Sequence, residues 1–67
     1  MKGYRFITDD DTVDFCQRVT EALSKGWKLH GDPKMTFDHK RKVMRCGQAV
    51  IKQSSKKYKK GMDLAKI

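Results

Sequence analysis

The side chains able to do chemistry are few and far apart: Cys16, Cys46, His30, His39 and Asp32, with a run of aspartates at residues 9–11. A structural zinc wants four ligands at close spacing. The two cysteines and two histidines form neither a C-x-x-C nor an H-x-x-x-H pair. Calcium fares no better, because its loop needs glycine at the sixth position and glutamate at the twelfth. Counted from Asp9 those positions hold Asp14 and Thr20, and counted from Asp10 they hold Phe15 and Glu21. Both thiols are expected to stay free and reduced, and no metal or other cofactor is expected.

Nucleophilic catalysis would pair Cys16 with His30 or His39, and acid–base work would pair Asp32 with His30. Cys16, however, falls on the apolar stripe of a helix, where a buried thiol is inert, and His39 falls at a turn tip. No glycine-rich loop leads from a strand into a helix, since "LHGDPK" has one glycine and no helix start behind it. The chain reads as a non-enzyme. Gln48 is the polar residue left over, with two readings. Its amide satisfies backbone groups freed where Gly31 and Pro33 break a strand, or it forms a small polar pocket with His30 and the Gly31–Pro33 bend, the basis of a small-ligand sensor.

The elements that position these groups follow from periodicity. Residues 3–8 alternate Tyr4 and Phe6 against Arg5 and Ile7, which predicts a first strand. Within "TDDDTVDFCQRVTEALSKG", Phe15, Cys16, Val19, Ala22 and Leu23 form one helical stripe. Asp9, Asp10 and Asp11 are expected to supply the N-cap, and Gly26 the left-handed residue that ends the helix. Trp27 and Leu29 share one face of a second strand, which Gly31, Asp32 and Pro33 interrupt and Met35 and Phe37 resume. Residues 38–41 form a polar turn, and residues 42–52 a long third strand.

A tight hairpin here would set Phe37 opposite Lys42, Met35 opposite Met44 and Leu29 opposite Val50. Trp27, Leu29, Met35, Phe37, Met44, Cys46 and Val50 then line one face, which should pack on the helix. The other face carries Val43, Ala49 and Ile51, with Ile7 added from the first strand. A strand apolar on both sides is usually covered on both sides. The third strand is therefore expected to be central, in order 1-3-2, and Val43, Ala49 and Ile51 to meet a second copy of the chain. The expected fold is α+β: β-α-β-β, with a three-stranded sheet and one helix on one face, over residues 1–53. Residues 54–67 have no sustained period and read as a basic, mobile tail.

Charge sits unevenly along the chain. The net charge is +8, yet residues 1–33 carry five Lys/Arg against six Asp/Glu, and residues 34–67 carry eleven against two. One basic group, Lys40, Arg41, Lys42 and Arg45, lies at the hairpin. Another, Lys52, Lys56, Lys57, Lys59 and Lys60, lies at the end of the third strand and beyond it. Together they form a candidate polyanion site for nucleic acid or an acidic protein. Aromatic residues are poorly interleaved with them: Tyr58 stands alone, and Trp27 is expected in the core, so this reading offers no stacking platform. No stretch approaches the ~18 consecutive apolar residues of a membrane span, and the N-terminus lacks the apolar region of a signal peptide. A cytoplasmic protein is expected.

The helix ending in Gly26-Trp27, the Gly31-Asp32-Pro33 break and the strand through Cys46-Gly47-Gln48-Ala49 also carry a resemblance. Over residues 4–52 the chain resembles a family of short bacterial and phage-associated domains, domain of unknown function 1737. That resemblance implies a small α+β domain of β-α-β-β order and brings no activity, cofactor or catalytic residue with it. The chain thus reads as a small non-catalytic interaction module, homodimeric, with nucleic-acid association and ligand sensing as the alternatives.

Overall fold

The computed structural model describes all 67 residues. Strand β1 (Lys2–Asp10) leads into helix α1 (Val13–Ser24), then come strands β2 (Lys28–Asp38) and β3 (Val43–Gln53) and a short 3-10 turn at Leu64–Lys66. The sheet order is β1-β3-β2. Both outer strands run antiparallel to β3. The α+β architecture and the central third strand are as the sequence predicts.

Helix α1 ends as its sequence dictates. Gly26 takes φ +94°; its N–H donates to the Leu23 carbonyl at 3.2 Å, and the Trp27 N–H to the Ala22 carbonyl at 3.1 Å. These two bonds are a Schellman motif, which needs glycine at the left-handed position and places an apolar residue after it. The Gly-Trp pair is a corner, and Trp27 is 2% exposed. At the other end the expected aspartate cap is absent. Thr12 is the N-cap and makes no side-chain cap bond. Strand β1 runs on through Asp9 and Asp10, and arginines take their carboxylates: Arg18 bonds Asp9, while Arg41 and Arg45 bond Asp10.

The hairpin register differs from the expectation near the turn and agrees with it further in. Leu29 lies opposite Val50, but Met35 lies opposite Cys46 and Phe37 opposite Met44. Between His30–Ala49 and Lys34–Gly47, β2 carries two more residues than β3, a bulge at residues 31–33. A shift of two preserves which face each side chain takes. The Gln48 amide sits under this bulge, donating to the carbonyls of His30 (3.4 Å), Gly31 (3.2 Å) and Ala49 (2.9 Å). That is the structural reading of Gln48, and none of the surface concavities is lined by it.

The core is small: Ile7, Ala22, Trp27 and Val50, with Phe15, Val19 and Ile67 packed around it. Burying Val50 completely contributes about 2 kcal/mol. Three expectations need correction here. Ile7 belongs to this core, beneath the helix, and not to the opposite face. Cys16 is exposed, although Cys46 is buried as expected. Leu29, Met35, Phe37 and Met44 do share the helix-side face, yet they are 55%, 56%, 43% and 36% exposed. The cause is reach. A 12-residue helix spans about 18 Å and lies over β1, whereas 11-residue strands extend about 36 Å. The hairpin therefore projects past the helix, in a molecule 41 Å long and 23 by 19 Å across.

Residues 54–67 return to the body of the domain. The Ile67 side chain packs on the core beside Gly3 and Trp27, where a Cβ on Gly3 would collide with it. Ser54 N–H donates to the Met1 carbonyl, and Lys56 Nζ donates to the Lys66 carbonyl. Only residues 64–66 are helical, a single 3-10 turn.

Candidate functional site

The sheet face turned away from α1 carries no covering element. Cross-strand pairing assigns its residues: Lys2, Tyr4, Phe6, Thr8 and Asp10 from β1, Val43, Arg45, Gly47, Ala49, Ile51 and Gln53 from β3, and Lys28, His30, Lys34, Thr36 and Asp38 from β2. Tyr4 is 54% exposed and Phe6 49%. Such rings on an uncovered sheet are the kind of patch that marks an interaction surface. The Phe6 ring leans over Gly47, and a Cβ at that position would strike it. Glycine in the middle of a central strand is otherwise a poor choice; here it makes room for the ring.

Beside Phe6 lies a shallow concavity of about 300 Å³, lined also by Thr8, Lys34, Thr36, Arg45 and Gly47. A second depression, which wraps round the other end of the sheet, is bounded by Lys2, Gly26, Lys28, Ile51, Lys52 and Gln53. Lysines 2, 28 and 34 form no ion pair, since the five pairs in the molecule involve other cations. The face thus combines two exposed aromatic rings, the exposed His30 imidazole, the hydroxyls of Tyr4, Thr8 and Thr36, and three unpaired ammonium groups.

The sequence-predicted sites fall differently. Lys40, Arg41 and Lys42 lie at the hairpin tip, with Arg45 just below it. Arg41 and Arg45 converge on Asp10, at 2.7 and 2.8 Å. Hydrogen bonds from Arg41 and then Arg45 hold the Asp10 carboxyl below its ordinary value, and Asp10 in turn raises Arg41. Two of the four hairpin cations are thereby neutralised. Lys52, Lys56, Lys57, Lys59 and Lys60 gather at the opposite end of β3, so the hairpin and tail groups form no single patch. Val43, Ala49 and Ile51 do share the open face, but Ala49 is only 9% exposed.

The candidate catalytic residues fall on different parts of the fold. His30 pairs across to Ala49 on the open face, while Cys16 lies on α1 behind the sheet. His39 packs edge-on against Phe37, the ring centroids 5.0 Å apart. Burial, followed by Asp11, pushes the Cys46 thiol up, away from the reactive thiolate. No group of three or more His, Cys, Asp or Glu side chains is placed to hold a metal ion. No helix is long and apolar enough to cross a membrane.

The model for the family named Domain of unknown function (DUF1737) matches residues 1–53. The chain belongs to that family. The DUF1737 match spans all three strands and the helix and stops at the end of β3, so both rings of the open face and its three free lysines lie within it. Searches of curated proteins and of solved structures gave no match.

Tyr4 and Phe6 are the residues that sequence reasoning passed over. Their alternation in β1 is visible in the sequence, but which face stays uncovered depends on where α1 lies. The usable signal was Gly47, a glycine inside an otherwise apolar central strand, which implies a neighbouring group that needs its space.

Proposed function

We propose that the protein is a non-catalytic interaction module that works through the open face of its sheet. The observation that carries this reading is the half-exposure of Tyr4 and Phe6 side by side on an uncovered face. Buried or solvated structural roles do not require two aromatic rings there. The three unpaired lysines around the rings suit a partner that is anionic as well as apolar. Free thiols fit a reducing cytoplasm.

Amide NMR of the full chain tests the reading. Spectra are recorded as the protein is concentrated, and on adding heparin, polyglutamate or oligonucleotides. The expected result is that shifts concentrate on residues of the open face. Shifts confined to α1 or to the tail under every condition would overturn it.

A second reading, homodimerisation through the same face, is favoured by Val43 and Ile51, apolar side chains of the central strand left partly open. It predicts that Ile51→Lys or Val43→Lys gives a folded monomer by sedimentation velocity, where the parent chain is a dimer. A variant that unfolds would place that residue in the core instead.

A further inference from the structure

The geometry points to single-stranded nucleic acid as the partner of the open face, its bases stacked on Tyr4 and Phe6 and its phosphates met by Lys2, Lys28 and Lys34. This inference rests on the open-face reading and names the chemistry of the partner. It also moves the contact away from Lys40 and Lys42 at the hairpin and from Lys56, Lys57, Lys59 and Lys60, which the sequence singles out.

Three observations carry it. Spacing comes first. Tyr4 and Phe6 are two residues apart on one strand, which separates their side chains by about 7 Å. That is roughly twice the 3.4 Å step of stacked bases in a duplex. Neighbouring rings at this distance seat successive bases of an extended, unstacked strand and not those of a double helix. Open sheets that read single strands do so by stacking about two or three bases on exposed aromatics.

Charge comes second. The chain carries +8 overall, and Lys2, Lys28 and Lys34 have no protein carboxylate to satisfy them. Lys2 and Lys28 border the depression beside Ile51 at one end of the face, and Lys34 borders the concavity beside Phe6 near its middle. Of the acids on the face, Asp10 is already neutralised by two arginines, and Asp38, at the hairpin end, accepts from the backbone N–H groups of Lys40 and Arg41. An acidic peptide would meet the same lysines but would offer the rings no flat partner.

Shape comes third. The concavity floor at Gly47 lies against the Phe6 ring, and the Thr8 and Thr36 side chains help to line it. A base edge seated there has an aromatic wall, hydroxyl groups able to hydrogen-bond it, and a cation for its phosphate. Stacking of this kind is tolerant of sequence, so little base preference is expected.

The test is fluorescence anisotropy of the full chain with labelled oligonucleotides of about 12 nucleotides, oligo-dT and oligo-U, against a duplex of the same length. Binding is measured at roughly 50 and 150 mM salt. The single strands should bind more tightly than the duplex. Tyr4→Leu and Phe6→Leu should each weaken binding about five-fold or more, with an unchanged salt dependence. Lys34→Gln should flatten the salt dependence by about one unit of slope, and Lys59→Gln with Lys60→Gln should do neither. Because a ring variant could disturb the fold, the unaltered chain is also followed by amide NMR. Oligo-dT should shift Tyr4, Phe6, Thr8 and Gly47. Preference for duplex, or shifts limited to residues 39–42 and 56–60, would overturn the inference. Oligonucleotides that fail to bind while heparin, polyglutamate or a second copy moves the same amides would remove nucleic acid and leave the open-face reading standing. If nothing moves those amides, both fall.

Discussion

At the scale of single residues, Gly47 decides whether the Phe6 ring can lie over the sheet. A methyl group there would strike the far edge of the ring, which is itself half exposed and free to swing outward. Gly47→Ala should therefore displace the ring and leave the backbone intact. Alanine is favoured over glycine in a strand interior by about 0.5–1 kcal/mol, which offsets the lost ring contact. The net change in stability is expected to stay within about 1 kcal/mol, while nuclear Overhauser contacts between the Phe6 ring and residue 47 disappear. A large drop in melting temperature would show that the ring is a structural lid and not a movable surface group. Gln48, next in the chain, shows what single residues reveal in advance. A buried amide beside a glycine-proline break offers the freed carbonyls as one of two readings in the sequence, and its bonds to the His30 and Gly31 carbonyls favour that one. The exposure of Cys16 has no such signal, because a helical stripe five residues wide gives no sign of where its buried edge ends.

At the scale of elements, strand and helix order were legible because period, glycine and proline all pointed the same way. The faces of β2 and β3 were legible too, since the bulge adds two residues and parity survives. Their coverage was not, because helix length limits what α1 can reach. The Asp10 clamp is the clearest case of an element-level device hidden in sequence. An aspartate run before a helix reads as a cap, yet Asp10 ties β1 to the hairpin through Arg41 and Arg45. Those bonds depress the Asp10 pKa. A carboxylate whose folded pKa is lowered contributes stability above its unfolded value and loses it as pH falls through the folded value. Asp10→Asn should accordingly speed amide exchange of residues 41–45 at neutral pH, by a modest factor because the pair is partly exposed. The difference from the parent chain should shrink once pH drops below the ordinary carboxylate range. A difference that persists unchanged in acid would mean the tie is not electrostatic.

At the scale of the whole molecule, the difficulty is area. Nine of 67 residues are buried, and a chain this short has little core to spare. The tail supplies part of what is missing. Its lysines at 56–60 are solvated, but Ile67 closes the end of the core against Gly3 and Trp27. Nothing local in the sequence announces this, since one terminal isoleucine after a polar stretch has no period, and its partners lie at the other end of the chain and beyond the helix. The consequence is an asymmetry between charge and packing. Ile67→Ala removes apolar atoms from a partly exposed site, so the cost should fall below that of a full core truncation, at about 1–2 kcal/mol. For a domain of this size that lowers the melting temperature by roughly 5–15 °C. Lys57→Gln, Lys59→Gln and Lys60→Gln together should leave it nearly unchanged, as surface substitutions do. Circular dichroism melts of the two variants decide the matter. If the lysine variant melts early and Ile67→Ala does not, the tail acts through its charge, and the core ends at β3. If Ile67→Ala alone melts early, the chain's last residue is part of its folding unit, and the open face is held flat by a core that the tail completes.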